Sequence, residues 1–231
     1  MLDERLSLAA QLYEPCALGA DIGTDHALLP CYLLTHNICQ EMILADVSPK
    51  ALLHAEESVR RHHLEKRAHV RLADGLDALT KPCGCVSMMG MGGETIRTVL
   101  LSGAEKLCGA VLVLSSHTEQ PLVRRTLPEI GYHIVQEKLC QAAGRFYIFW
   151  RAEPGQADDW TVEEVHYGRL LWVQNPPKML LDYCRYRIKV MADRLTGLAS
   201  ATGDVSRIRG EIAAEIDFYQ RKITELEGAL C

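Results

Sequence analysis

The chain has 231 residues, 48% of them apolar, with 25 basic and 30 acidic side chains and a formal charge of −5. That length suits one large domain, or an ordinary domain with an appendage, and the apolar content argues against disorder. The acidic balance lacks the whole-domain basicity typical of nucleic-acid binders, and no apolar run approaches the roughly 20 residues that a membrane span needs.

An amphipathic N-terminal helix carrying Arg5 comes first, and then short apolar runs alternate with helical periods, the mark of a parallel sheet with crossover helices. The pattern predicts strands near residues 17–21, 41–46, 68–72, 84–89 and 109–115, and helices near 26–35, 49–63, 92–103 and 119–130. Two further runs, Tyr132 to Cys140 and Phe146 to Arg151, flank Ala142-Ala143-Gly144 with no helix between them. They read as a hairpin, so one strand must run antiparallel to the others. The expected fold is therefore a doubly wound, Rossmann-like α/β sheet with a terminal antiparallel hairpin. A nicotinamide oxidoreductase would continue with another strand and helix, and would carry a full Gly-x-Gly-x-x-Gly turn.

Residues 153–160 are polar and rich in turn formers, which places a domain boundary there and divides the chain into 1–152 and 153–231. Beyond it, Leu181, Cys184, Ile188, Met191, Leu195 and Leu198 recur at three- and four-residue steps. After Thr202-Gly203-Asp204 the same steps return from Val205 through Ile212 and Tyr219 to Leu230. Two such stripes joined by a glycine turn predict an antiparallel α-helical coiled-coil hairpin. Nine cysteines, odd in number and scattered, with no signal peptide, point to a reducing cytoplasm. Cys83-Gly84-Cys85 is spaced too tightly for a zinc knuckle, and no metal is expected.

Gly19-Ala20-Asp21-Ile22-Gly23-Thr24-Asp25-His26 reads as a strand, a glycine turn and a helix start, where doubly wound proteins hold nucleotide-like ligands. Two carboxylates and an imidazole crowd that turn. Such a turn repels a pyrophosphate and suits a ligand carrying ammonium or sulfonium charge, which points to S-adenosylmethionine. Gly23 lets the backbone approach the ligand. Asp21 is placed to accept from the ammonium, Asp46 at the second strand's end to take the ribose hydroxyls, and Asp74, followed by Gly75, to receive the adenine amino group. The fourth strand ends in Met88-Met89-Gly90-Met91-Gly92-Gly93, whose glycines expose backbone amides to the cleft. The Asn or Asp, Pro-Pro and aromatic side chains used by methylases of exocyclic amines are missing here, leaving a ring nitrogen as acceptor. Asp25 reads either as a helix cap or as a carboxylate steadying a cationic product. His26 is a candidate for positioning a base, and Arg5 for holding the ligand's carboxylate. His117 and the thiols read as structural.

Basic residues collect in two places. Lys178, Arg185, Arg187, Lys189 and Arg194 stand against Asp182 and Asp193, and Arg60, Arg61, Lys66, Arg67 and Arg71 lie among three histidines. The face bearing Arg185, Arg187 and Lys189 is the candidate contact for RNA phosphates, although a solvated helix face has the same composition.

With these segments placed, the chain resembles the bacterial tRNA (adenine-22-N1)-methyltransferase family. The matching stretches are Arg5-Leu6, Ala20 to His26, Leu72-Ala73-Asp74-Gly75-Leu76, Gly90-Met91-Gly92-Gly93, Gly144-Arg145-Phe146-Tyr147-Ile148 and Tyr167-Gly168. The resemblance implies a class I methyltransferase fold, S-adenosylmethionine as donor, tRNA as partner and a helical hairpin that helps hold it. Leu28 departs from the family's aromatic residue, and Ser115-Ser116-His117 from its Gln-Pro-Asn; both positions lie toward the acceptor. On this reading the protein is a cytoplasmic monomer that methylates adenine N1, with Asp25 and His26 as catalytic candidates. The competing readings are a methyltransferase with another RNA or small-molecule acceptor, and a noncatalytic binding module that uses the helical hairpin.

Overall fold

Five parallel strands form in the first half of the chain, β1 Cys16–Ile22, β2 Cys39–Asp46, β3 Ala68–Leu72, β4 Cys85–Met91 and β5 Val111–Ser116, all but the alternating β3 from apolar runs. A hairpin of β6 Tyr132–Ala142 and β7 Arg145–Pro154 completes a seven-stranded sheet in the order β3-β2-β1-β4-β5-β7-β6. Strand β7 lies antiparallel to β5 and β6 antiparallel to β7, as the helix-free gap between them predicts. This is a computed structural model, and it describes residues 2–156, 159–198 and 204–229.

The crossovers carry α2 Leu28–Thr35, α3 Pro49–Arg61, α4 Gly93–Gly103 and α5 Gln120–Glu129, while α1 Glu4–Gln11 precedes the sheet. Helix α3 shows how sequence sets a boundary. Ser48 accepts a capping bond from Ala51 N–H, Pro49 occupies the first turn without a wasted donor, and Leu52, Ala55 and Val59 form the buried face. Ala55 and Val59 join Ala9, Leu29, Leu33, Met42 and Leu44 in one core cluster. Strands β1 and β2 are buried along their carboxyl halves, the continuous apolar signature of a parallel sheet covered on both faces.

Contacts divide the chain into two compact units, 1–174 and 175–231. This division lies beyond the boundary expected at 153, and the reason is local. Strand β6 is irregular between Ile134 and Gln136. There the Gln174 side chain donates to Val135 O at 3.0 Å and accepts from Glu137 N–H at 2.9 Å. Helices α6 Val162–Tyr167 and α7 Leu171–Gln174 therefore belong to the sheet unit. In the second unit, α8 Pro177–Gly197 and α9 Ser206–Gly228 pair antiparallel: Tyr183 meets Tyr219, and Arg187 meets Glu215. Cys184, Met191, Ile212 and Tyr219 of the expected stripes are buried. Thr202, Gly203 and Leu230 lie outside the described residues.

Candidate active site

The carboxyl edge of the sheet presents the ends of β3, β2, β1 and β4 side by side. Asp21 lies opposite Leu44 of β2 and Ser87 of β4, and Asp46 opposite Leu72 of β3. The turn after β1 is fastened to β2 by Gly23 N–H and Thr24 N–H, which both donate to Ala45 O, at 2.8 and 3.0 Å. Gly23 has φ +80°, a region costly for any residue with a side chain, and a Cβ there would sit 2.5 Å from Met91 Cε.

A cavity of about 220 Å³ opens over this turn. Of the candidate residues it is lined by Arg5, Asp21, Gly23, Asp25, His26 and Gly90; Asp46, Asp74, Gly75, Met91 and Gly92 are not in its wall. Leu28, Ser115, His117, Tyr147 and Phe149 are among the other residues of its wall. Both stretches that depart from the family's motifs thus face one cavity, and His117 stands in its wall, edge-on to Tyr147 at 6.2 Å. Ser116 turns away, its hydroxyl donating to Thr118 O.

Asp21 is buried, and burial pushes its carboxyl up to about 6, with the nearby Asp46 adding to the effect and the Ser87 hydrogen bond opposing it. At neutral pH it is therefore mostly ionised, an anion under the turn. Asp46 accepts from Ser48 N–H at 2.7 Å, which orients its carboxylate at the strand end. Asp74 is exposed beside the Gly75–Ala78 turn and makes no side-chain cap bond there. Strand β4 bulges between Met89 and Met91, which re-aims the Gly90 segment at the cavity rim. Gly93 answers instead to packing, since a Cβ there would lie 2.7 Å from Glu119 O.

Asp25 is not a helix cap. Helix α2 begins after Ala27, which has φ 51° and no side-chain cap bond. Instead Asp25 Oδ1 accepts from His54 Nδ1 at 2.8 Å, and Oδ2 lies 3.5 Å from His26 Nε2. His26 is 61% exposed at the cavity mouth, stacked on the His54 ring at 4.9 Å. The donor atoms of Asp25, His26 and His54 all lie within 4.8 Å of one another, close enough to share one ion, an arrangement the expectation of no metal did not foresee. Arg5 is paired with Asp3 through Nη2 at 2.6 Å and Nε at 3.0 Å, and lies over the Tyr147 ring.

Away from the cavity, Arg187 departs from the expected phosphate-facing role. It pairs with Glu215 and lies over the Tyr219 ring inside the helical hairpin, both ion-pair partners being largely buried. Arg185 and Lys189 are exposed, Arg185 near Asp182 and Glu227. Most of the second basic cluster is similarly engaged: Arg60 and Arg61 pair along α3, Arg67 donates to Gln40 O and Cys39 O, and Arg71 to Ala78 O.

Residues 2–149 match the family model described as a methyltransferase domain. The tRNA (adenine(22)-N(1))-methyltransferase of Bacillus subtilis (strain 168) is 31% identical over 159 residues, spanning 68% of this chain and 67% of that protein. The chain belongs to the tRNA (adenine(22)-N(1))-methyltransferase family. Among solved structures, Streptococcus pneumoniae Sp1610, proposed to be a tRNA (m1A22) methyltransferase and solved in complex with S-adenosyl-L-methionine, is 26% identical with a TM-score of 0.84. That match covers 96% of this chain and all of the other. M. capricolum TrmK with S-adenosyl-homocysteine, at 23% identity and a TM-score of 0.81, covers 97% of this chain and 98% of its own and shares the fold. Membership of this methyltransferase family sets aside a nicotinamide oxidoreductase, and the terminal hairpin of β6 and β7 agrees with that.

Proposed function

We propose that this chain transfers a methyl group from S-adenosylmethionine to N1 of adenine 22 in tRNA. The observation that carries the reading is the acid-bearing turn from Asp21 to Asp25 at the sheet's carboxyl edge, in a chain of this family. The donor set fits the cofactor. Two carboxylates line the cavity, and its arginine is neutralised by Asp3. Asp21 would accept from the ammonium, Asp46 from the ribose hydroxyls and Asp74 from the adenine amino group, with the backbone of Gly23 and of Gly90 to Gly92 closing around them. Arg5 would serve the cofactor's carboxylate only by sharing its guanidinium with Asp3. When bound, S-adenosylmethionine supplies a methyl group made electrophilic by its sulfonium.

Adenine N1 carries a free lone pair, so no proton must leave before attack and no general base is required. The chain's task is orientation, worth up to roughly 7–11 kcal/mol in ideal cases. A paired adenine hides N1, so the base must enter unpaired or flipped out. Leu28, His117 and Tyr147 form the wall that would receive it, with Tyr147 supplying the aromatic face that Leu28 lacks. The methylated base is cationic, and Asp25 at the cavity mouth would stabilise that charge as it develops. Among the described residues no helix is long and apolar enough to cross a membrane. A monomer acting in the cytoplasm, where tRNA resides, belongs to the same proposal.

The test is incubation of an unmodified tRNA transcript with the protein and isotope-labelled cofactor, followed by nucleoside mass spectrometry. N1-methyladenosine is expected, and it should be lost from a transcript carrying guanine at nucleotide 22. Methyl on another base or atom would assign a different acceptor, and tRNA binding without transfer would mark a noncatalytic module.

A further inference from the structure

We infer that His54, on the exposed side of α3, is a positioning residue for methyl transfer: it fixes the Asp25 carboxylate at the mouth of the cavity. The inference rests on the function proposed above. Asp25 and His54 come from successive βα units, yet His54 Nδ1 donates to Asp25 Oδ1 at 2.8 Å. The second oxygen faces His26 Nε2 at 3.5 Å, and the two imidazoles stack at 4.9 Å with 11° between their planes. The carboxylate is thus bracketed by two rings held against each other. Helix α2 makes no use of it, because Ala27 starts that helix without a side-chain bond. Asp25 is 56% exposed. Without His54 its side chain would spread over several rotamers in water. A carboxylate stabilises a developing cation only if it already points at it, so fixing one rotamer favours the transition state over the ground state. Donation from Nδ1 also requires a proton on that nitrogen, so Asp25 selects the His54 tautomer while His54 selects the Asp25 rotamer.

Two substitutions separate shape from hydrogen bonding. His54→Phe keeps a ring to stack on His26 and removes the donor, whereas His54→Asn places an amide N–H near the Nδ1 position. His54→Phe is expected to lower kcat on tRNA by about fivefold to tenfold, with KM for S-adenosylmethionine within about twofold of the parent. His54→Asn should recover most of the loss. Asp25→Ala combined with His54→Phe should be no slower than Asp25→Ala alone, because the histidine acts through the carboxylate. Unchanged kcat in His54→Phe, or a further fivefold to tenfold loss in the double variant, overturns the inference. A readout free of turnover is the ¹⁵N spectrum of the imidazoles: His54 should hold its proton on Nδ1 in the parent and shift toward Nε2 in Asp25→Ala. Identical His54 signals in the two proteins overturn the pairing even if no methyl is transferred. A parent protein that leaves adenine 22 unmethylated while showing the Nδ1 signature overturns the proposed acceptor instead.

Discussion

Ser87 on β4 donates a 2.5 Å hydrogen bond to the Asp21 carboxylate on β1, and receives one of 2.6 Å from the Tyr13 hydroxyl. All three residues are buried, so a chain of hydroxyls from outside the glycine turn ends on the anion beneath it. Burial holds the Tyr13 hydroxyl protonated, well above its ordinary range, so it acts only as a donor toward Ser87. The network satisfies one oxygen of Asp21 from below and leaves the carboxylate facing the cavity.

This arrangement gives Asp21 a pH signature. The side chain titrates near 3.8 when unfolded and near 6 in the fold, so its raised value favours the neutral form. Below pH 3.8 both states are protonated and nothing is lost. From there to about pH 6 the unfolded chain ionises first and stability falls, by about 3 kcal/mol at the plateau above pH 6. Asp21→Asn is therefore expected to raise the urea midpoint at pH 7.5 and leave it nearly unchanged at pH 3.5. A cationic cofactor reverses the preference, since it binds the ionised form. Calorimetry should show affinity for S-adenosylmethionine rising about tenfold from pH 5 to pH 7 in the parent protein and staying low and flat in Asp21→Asn. A flat profile in the parent would assign the ammonium to another group.

Gly23→Ala separates strain from collision. The new methyl would meet Met91 Cε, the mobile end of a flexible side chain, whereas φ +80° is a property of the backbone. Backbone strain of about 1–2 kcal/mol should dominate. Urea unfolding is expected to show that loss, and Met91→Ala in the same chain should not restore it. Full recovery in the double variant would make the clash the cause.

Glu137 is wholly buried and receives Arg124 Nε at 2.7 Å, Trp150 Nε1 at 2.8 Å and Leu171 N–H at 3.0 Å. Removing it strands a buried guanidinium. Glu137→Ala should cost about 3–5 kcal/mol in chemical denaturation, while replacing both charges, as in Arg124→Met with Glu137→Leu, should cost much less. Equal losses would mean that the lost packing, not the unpaired charge, sets the penalty.

The helical hairpin offers a contrast between neighbouring arginines. Arg185→Glu with Lys189→Glu should weaken tRNA binding and lower the salt slope by about 1 to 2, with cofactor affinity and helix content unchanged. Arg187→Glu is expected to lower the melting temperature of the hairpin, because it sets two carboxylates against each other where Arg187 now pairs with Glu215. Unaltered tRNA affinity in the double variant would reduce that face to ordinary solvation.

Much of this architecture is written along the chain. Parallel strands covered on both faces must be short apolar runs, so β1, β2, β4 and β5 stand out between amphipathic periods, whereas the edge strand β3 alternates apolar and polar residues. The missing helix between Tyr132 and Arg151 leaves only a hairpin, which fixes the antiparallel end of the sheet. The acidic glycine turn from Asp21 to His26 is likewise legible without any knowledge of what surrounds it. These are local signals, carried by residues within a few positions of one another.

Other properties depend on which distant surfaces meet. Nothing near Asp25 in sequence names His54 as its partner, and Arg187 looks like Arg185 until α9 brings Glu215 against it. Residues 153–160 look like a boundary, yet Gln174 stitches the following helices to the irregular edge of β6 and moves the division to 174. Side-chain pairing and burial are decided by packing between elements, and the free energy of a charge turns on that surrounding, so composition along the chain cannot set it.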